Sequence, residues 1–391
     1  MKSFILFFSL ILFIWAFDES EQIKVTHPLQ DTKSTQKLLE AMQADIKVYL
    51  YQTPLSSYDY FDKNCAKLKS QVLITWIHGD IYLETLAAGE TPDIRATLNK
   101  GQNTHLGDYR YDMFTLLSDL LLKMQEDSDF SGSKEKAILG TFVDGYFEKL
   151  QNQKLQCPCI DDALSNVKES DLLIQYTKVK DEKRFFNTRI KSLSKVSKNS
   201  TKNLKKEMNK YFSSFKFLPI KDIVMDEFGN YLLLCEGKTD KINDDIIFIV
   251  SANTVPVSYQ VNAKMKNNYL KKSLLNKHEV MQSFNQTAYA AIVRVKGQSF
   301  FVNKLNPSLK LEPQSEKTRA YKKYASALGF MLAKFHSNPD LKSCKSFSNK
   351  LNKQVKTRVV KTELISMVYS YNETLEQNWE DFTDKEFLSV K

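Results

Sequence analysis

Apolar spacing along this chain predicts an α+β fold laid out as a helical block, a β-rich block and a second helical block. Up to about residue 155 the apolar side chains recur at helical spacing. From Phe217 to about Leu311 they fall in short strand-like runs, and after Pro313 the helical spacing returns. The 391 residues are 42% apolar and 26% charged, which excludes a disordered chain and allows a sizeable core divided between two lobes. The sequence shows no internal repeat.

Residues 1–17 read as an export signal or an anchor. Lys2 precedes "FILFFSLILFIWAF", an apolar run shorter than the roughly 20 residues a membrane span needs. The acidic exit "DES" suits the start of an exported mature chain; Ala16 is the best small residue for cleavage, although Ile14 fits the outer position poorly. The expectation is a periplasmic or secreted protein, the alternatives being an uncleaved anchor or a buried helix. Residues 18–33 form a polar leader.

Residues 34–159 are the first helical lobe. "YDMFTLLSDLLLKM" aligns Met113, Leu117, Leu120, Leu121 and Met124 on one face, and "KEKAILGTFVDGYFEKL" aligns Ile138, Phe142, Tyr146 and Leu150. One strand-like run, "QVLITWI", interrupts these helices and ends at His78-Gly79-Asp80. Residues 160–216 are polar, Lys-rich and weakly helical, so they are read as a connector. In residues 217–312, "NYLLLCEG", "DIIFIVSA", "PVSYQV", "YAAIVRV" and "SFFVNKL" read as strands, the last two as a hairpin turning at Lys296–Gln298. A helical insert, "KKSLLNKHEVMQSF", precedes that hairpin. Residues 313–391 are helical again and complete the large lobe; "AYKKYASALGFMLAKFH" aligns Tyr321, Tyr324, Leu328, Met331, Leu332 and Phe335.

The net charge of +10 permits contact with an anionic surface, and much of the excess lies in Lys178–Lys210. That segment could grip membrane lipid, cell-wall polymer or nucleic acid; the plainer reading is a solvated connector. Its aromatics are Phe185 and Phe186 alone, short of the repeated stacking platform of single-strand binders, so there is no strong nucleic-acid signal. Any membrane contact would come through residues 1–17. The five cysteines, Cys65, Cys157, Cys159, Cys235 and Cys344, are odd in number, so at least one thiol stays outside any intrachain bridge. "CPC" at 157–159 lacks the spacer of a redox or zinc motif; its cysteines read as surface thiols or as a bridge to a distant cysteine.

His78-Gly79-Asp80 looks like a catalytic loop. Phosphoryl transfer needs a carboxylate near the attacking hydroxyl and oxygen ligands that hold magnesium on the phosphates. Asp80 supplies the first, but the position five residues on, where Asn would serve the metal, is Thr85.

Several blocks carry a resemblance. "HGDIYLET" is similar to the Gly-Asp-x-His-Leu-x-Asn-Phe loop of the bacterial domain-of-unknown-function family 2252, matching Gly79, Asp80 and Leu83. "LNKGQNTHLGDYRYDM" aligns with that family's Ile-Asn-Asp-Phe-Asp-Glu stretch and the Trp-Asp-Leu after it, with Asn99, Gly107 and Asp112 in register. "AMQADIKVYLYQT", "FFVNKL" and "YASALGFMLAKFHSNPD" resemble three further family segments, and the blocks keep family order from Ala41 to Asp340. Family members resemble aminoglycoside phosphotransferases and protein kinases. The resemblance therefore implies a protein-kinase-like two-lobe fold, circularly permuted, because here the β-rich block follows the catalytic-type loop.

The departures fall on the chemistry. The family's metal-binding Asp-Phe-Asp is Lys100, Gly101, Gln102, and a lysine at a magnesium position repels the ion. The family's early Arg-Gly is Tyr51 and Gln52. Only Gly229 remains of a glycine-rich phosphate loop, and the family's Lys-Glu falls near Ala252 and Asn253. No nucleotide, metal or other cofactor is expected. Asp80 is a vestigial base, or else a carboxylate that caps the loop or pairs with a lysine; Lys100 is the expected partner, seated in the vacated metal position. His78 is a proton shuttle or a hydrogen-bonded loop residue. Asp112 is expected to order the loop from the following helix and His336 to close a helix, while His105 near the same loop makes no metal site. An exported protein would also meet little ATP.

Three functions compete: a kinase-like scaffold that has lost catalysis and binds a protein, glycan or small ligand in the former cleft; an active phosphotransferase with atypical ligands; and a structural, envelope-associated protein. Magnesium–ATP binding separates the second from the others. A formed apolar cleft with convergent polar groups separates the first from the third.

Overall fold

The computed structural model describes residues 32–384 except 90–94, 100, 128–129, 166–168, 191, 214–218, 227–228, 238, 240, 286–288, 310, 339–340, 342–343 and 345. The export expectation for residues 1–17 and the placement of Lys100 both lie outside the described residues.

The chain opens with helices α1 (Thr32–Ala44), α2 (Ile46–Gln52) and α3 (Pro54–Asn64). Asp45 caps α2 by accepting from the Lys47 amide, and Pro54 opens α3, where its missing N–H costs nothing. Strand β1 (Ile74–Ile77) pairs antiparallel with β4 (His105–Asp108), and between them lies the hairpin β2 (Leu86–Gly89) and β3 (Arg95–Leu98). Helix α4 (Tyr109–Asp127) follows and is buried over nearly its whole length, as expected of a helix apolar around most of its circumference. Helix α5 (Gly132–Gln151) comes next.

Helices from the far end of the chain complete this core. α11 (Thr318–His336) packs along α5, and α13 (Thr357–Thr383) packs on α4; all four belong to one hydrophobic cluster. Gly329 marks how closely α11 and α5 approach, since a methyl there would lie 2.1 Å from the Phe142 carbonyl oxygen.

The expected connector carries more structure than a linker needs. It forms helices α6 (Pro158–Ser165) and α7 (Glu169–Tyr176), hairpin β5 (Thr177–Lys180) and β6 (Lys183–Phe186), strand β7 (Leu193–Lys195) and helix α8 (Lys198–Ser213). β7 joins a six-stranded antiparallel sheet with β8 (Ile220–Asp226), β9 (Tyr231–Cys235), β10 (Ile246–Ala252), β11 (Ala291–Val295) and β12 (Gln298–Lys304), in the order β11-β12-β10-β9-β8-β7. "YLLLC" and "IIFIV" are apolar on both faces, so the sheet needs two covers. Leu204, Met208 and Phe212 of α8 cover Phe248, Val250 and Phe300 on one face. Leu172, Leu173, Phe186 and Leu193 cover Leu232, Ile247 and Ile249 on the other. Lys178, Lys180, Lys183, Lys202 and Lys206 stay exposed on the outside of these covers.

The β11–β12 hairpin turns on Lys296 and Gly297, both at positive φ, as a two-residue loop that follows the strand twist requires. "PVSYQV" corrects its strand reading: it holds the helical turn α9 (Ser258–Val261). Its apolar spacing over so few residues suits either period. The burial of Ser258 and Tyr259 against β4, through hydrogen bonds to His105 and to the Leu106 carbonyl, decides for the turn. Helix α10 (Ala263–Asn285) then crosses to β4, and helix α12 (Phe347–Gln354) precedes α13.

Candidate functional site

The His78-Gly79-Asp80 loop leaves β1 and is pinned from below by α4. The Asp112 carboxylate accepts from the His78 amide (2.7 Å) and the Gly79 amide (2.9 Å). His336, at the end of α11, donates through Nε2 to the same carboxylate (3.1 Å), because a carboxylate can only accept. That leaves His336 Nδ1 to accept from the Tyr146 hydroxyl of α5 (2.8 Å). Burial pushes the Asp112 pKa up, but the hydrogen bond from His336, with help from the Gly79 amide, outweighs it and holds the carboxyl below its usual range. The three side chains are buried, so this relay ties three helices to the loop and touches no solvent.

A second clamp repeats the first two turns along α4. Buried Asp119 accepts from the Leu83 amide (2.7 Å) and from the Tyr51 hydroxyl (3.0 and 3.1 Å). Tyr51 thus serves the clamp as a neutral hydrogen-bond donor. Burial dominates at Asp119, and its pKa rises to about 6.

The positions read as degenerate metal sites, so far as they are described, are occupied with local work. The Thr85 hydroxyl donates to the Tyr82 carbonyl (2.7 Å) and accepts from the Tyr82 amide (3.1 Å), which closes a 3-10 turn at Leu83–Thr85. Asp80 is half-buried and accepts from the Asn103 carboxamide (3.3 Å). The Gln102 carbonyl accepts from Lys277 of α10, a buried lysine whose pKa burial lowers to about 7. Asn99 pairs its carboxamide with both backbone groups of Asn306 (2.9 and 3.0 Å), tying the loop to the segment after β12.

His78 is buried, with Nε2 3.1 Å from the Asn99 carbonyl, and desolvation lowers its pKa against the pull of Asp112 and Asp80. A ring so enclosed cannot exchange a proton with a substrate in solution. His105 donates from Nδ1 to the Asn103 carbonyl (2.6 Å) and takes the Ser258 hydroxyl at Nε2 (2.5 Å); burial lowers its pKa to about 4 and keeps it neutral. Among the described residues no group of three His, Cys, Asp or Glu side chains is placed to hold a metal ion.

Gly229 sits at φ +78 in the turn between β8 and β9. Asp226 occupies that turn itself, accepting from the Asn230 amide (2.8 Å) and carboxamide (2.9 Å), while the Gly229 amide is bonded to the Asp226 carbonyl (3.2 Å). Those amides are turned into the hairpin, where a phosphate loop would present them outward. Ala252 ends β10 opposite Phe300, on the same sheet.

Between the sheet and the helical core lies a cavity of about 530 Å³, within the range of small-molecule sites. Leu83, Glu84 and Leu86 of the loop line it, as do Asn99, Asp119, Asn306, Leu232 and Ile249; Asp80 and His78 do not. Sequence reading placed Asp112 but overlooked Asp119, Lys277, Glu84 and Asn306. For Asp119 a signal existed, since Asp112 and Asp119 are seven residues apart on one helix and so share a face. For Lys277 and Asn306 there was none, because only the fold brings them to the loop.

Comparison with protein-family models, with curated proteins and with solved structures gave no match.

Proposed function

We propose that this chain is an exported binding protein on a permuted kinase-like scaffold, akin to the domain-of-unknown-function 2252 family, whose phosphotransferase chemistry is gone and whose ligand occupies the cavity between the lobes. The layout supports the scaffold reading: a loop after β1 anchored by Asp112, then a sheet whose β8–β9 hairpin, β10, α10 and β11–β12 follow in the order of a kinase small lobe. The observation that carries the loss of catalysis is the spending of the ligand positions on the protein itself. Thr85 closes its own turn, and Asp226 and the Gly229 amide close the hairpin. A nucleotide would find neither the metal carboxylates nor the open backbone amides that phosphoryl transfer uses. The cavity, which sets apolar side chains such as Leu232 and Ile249 beside polar ones such as Asn99 and Glu84, supports binding over a purely structural role.

Thermal melts of the full-length chain with ATP, with and without magnesium, test this. The expected result is no magnesium-dependent rise in melting point, since a ligand at a hundredfold its Kd would stabilise by about 2.7 kcal/mol. A magnesium-dependent rise that Asp80→Asn abolishes overturns the reading. Export through residues 1–17 belongs to the same proposal; an intact mass that shows no processing, on a chain recovered from the cytosol of a secreting host, would count against it.

A further inference from the structure

Helix α8 covers the sheet with its apolar face and turns a row of lysines outward. Lys198, Lys202, Lys206 and Lys210 recur every fourth residue, and all four are exposed. The row is about 18 Å long, with one amine about every 6 Å, and each step drifts only about 40° around the helix, so the amines keep to one face. Leu204, Met208 and Phe212 lie on the opposite face, against the sheet. Glu207 is the one acid of the helix, and it pairs with Lys210 at the end of the row (2.9 Å). Lys198, Lys202 and Lys206 form no ion pair among the described residues.

The strands beneath do not cancel this charge. α8 packs on β11 and β8, and β11 carries no acid. The acids of β8 are engaged elsewhere: Asp222 accepts from the Phe186 amide on the far cover of the sheet (3.0 Å), and Asp226 closes the β8–β9 turn. The undescribed residues that adjoin these elements in the chain are 191, 214–218, 227–228 and 286–288. They hold Lys191 and Lys216 against Glu227, so they add to the positive charge.

The composition of the face and its shape choose between anionic partners. The exposed residues beside the amines are Asn199, Asn209 and Ser213, none of them apolar or aromatic. An interfacial helix enters a bilayer by its apolar face, and that face of α8 is buried on the sheet. Single-strand binders stack bases on aromatic side chains, which the row lacks. What remains is contact with charge and with hydrogen-bond acceptors. Amines in single file match anions in single file, as a polymer offers them, whereas a bilayer spreads its anions over a plane. A phosphodiester chain alternates charged phosphates with uncharged oxygens, and lysine with asparagine is a pairing that backbone contacts to such chains use.

We propose that the outer face of α8 binds a linear phosphodiester polymer along its backbone, with Lys198, Lys202, Lys206 and Lys210 on the phosphates and Asn199 and Asn209 on the oxygens between them. This contact is independent of the cavity and of its ligand.

The test uses labelled poly(glycerol phosphate), which has phosphodiesters and no bases, and follows its fluorescence anisotropy with the full-length chain over a salt series. Binding is expected to weaken steeply as salt rises, because each contacted phosphate releases counterions. The double variant Lys202→Gln/Lys206→Gln should weaken binding about tenfold or more at low salt and flatten the salt slope by about 1.4, at about 0.7 per lost contact. Lys178→Gln/Lys183→Gln removes the same charge from the far cover and should leave affinity within about twofold. All four lysines are exposed, so both variants keep the fold. Polyglutamate of matched charge and vesicles of phosphatidylglycerol in phosphatidylcholine are expected to bind more weakly than the polymer. Equal losses in the two double variants would show that net charge alone acts, and would overturn the assignment to α8. Polyglutamate binding as tightly as poly(glycerol phosphate) would overturn the phosphodiester assignment. Vesicles binding more tightly than the polymer would make the partner a membrane surface, and no binding to the polymer at low salt would end the proposal.

Discussion

Replacing Asp112 with asparagine tests whether the loop is held by a buried charge. The carboxylate accepts three bonds, from the His78 amide, the Gly79 amide and His336. An asparagine keeps one accepting oxygen. Seated where it serves His78 and His336, it turns its amide hydrogens toward the Gly79 N–H, and the opposite seating faces donors with donors at two contacts. At least one buried N–H thus loses its acceptor, and charge-assisted bonds become neutral ones. The combined cost is about 2–4 kcal/mol. Denaturant melts should show a lowered midpoint. Hydrogen exchange gives the local reading, since the His78 and Gly79 amides should lose protection more than amides in the β8–β12 sheet. Unchanged protection at both amides, or a stability loss below about 1 kcal/mol, would refute the clamp.

Two further perturbations probe the same region. Gly79→Ala places a methyl 2.5 Å from the Asn103 carbonyl oxygen and 2.8 Å from the His105 ring, at φ +77, and should cost about 3 kcal/mol or more in the same melts. Lys277 has its folded pKa lowered to about 7 from 10.5, so between those values the unfolded chain holds the extra proton and stability rises with pH. Lys277→Met should therefore stabilise the chain at pH 7 by roughly 2–4 kcal/mol after loss of the Gln102 bond, and should flatten the rise toward pH 10, as thermal melts across that range would show. A variant less stable than the parent at pH 7 would mean the buried amine has a partner that matters more than its desolvation.

Much of the helical framework was legible because it rests on local periodicity. Met113, Leu117, Leu120 and Met124 lie on a helix and are buried, as their spacing requires. The β11–β12 hairpin was legible from Lys296-Gly297 between apolar runs. Residues 160–216 were misjudged because their composition is that of a linker. Yet Leu204, Met208 and Phe212 recur every fourth residue on α8, and that spacing was readable. What it could not say was that the sheet needed covering on that face.

The sequence by itself determined the alternation of helical and β blocks, the lysine density of 178–210, and the absence of paired carboxylates at Lys100-Gly101-Gln102, since these depend on residue type and short-range spacing alone. Only the tertiary structure decided that Asp112 meets His336 across 224 residues of chain and that Asn99 meets Asn306 across 207. It also decided that six residues with opposing charges share one cavity. Such meetings arise from how helices and sheet pack to bury their apolar faces, and that packing is a property of the whole chain, which no local window contains.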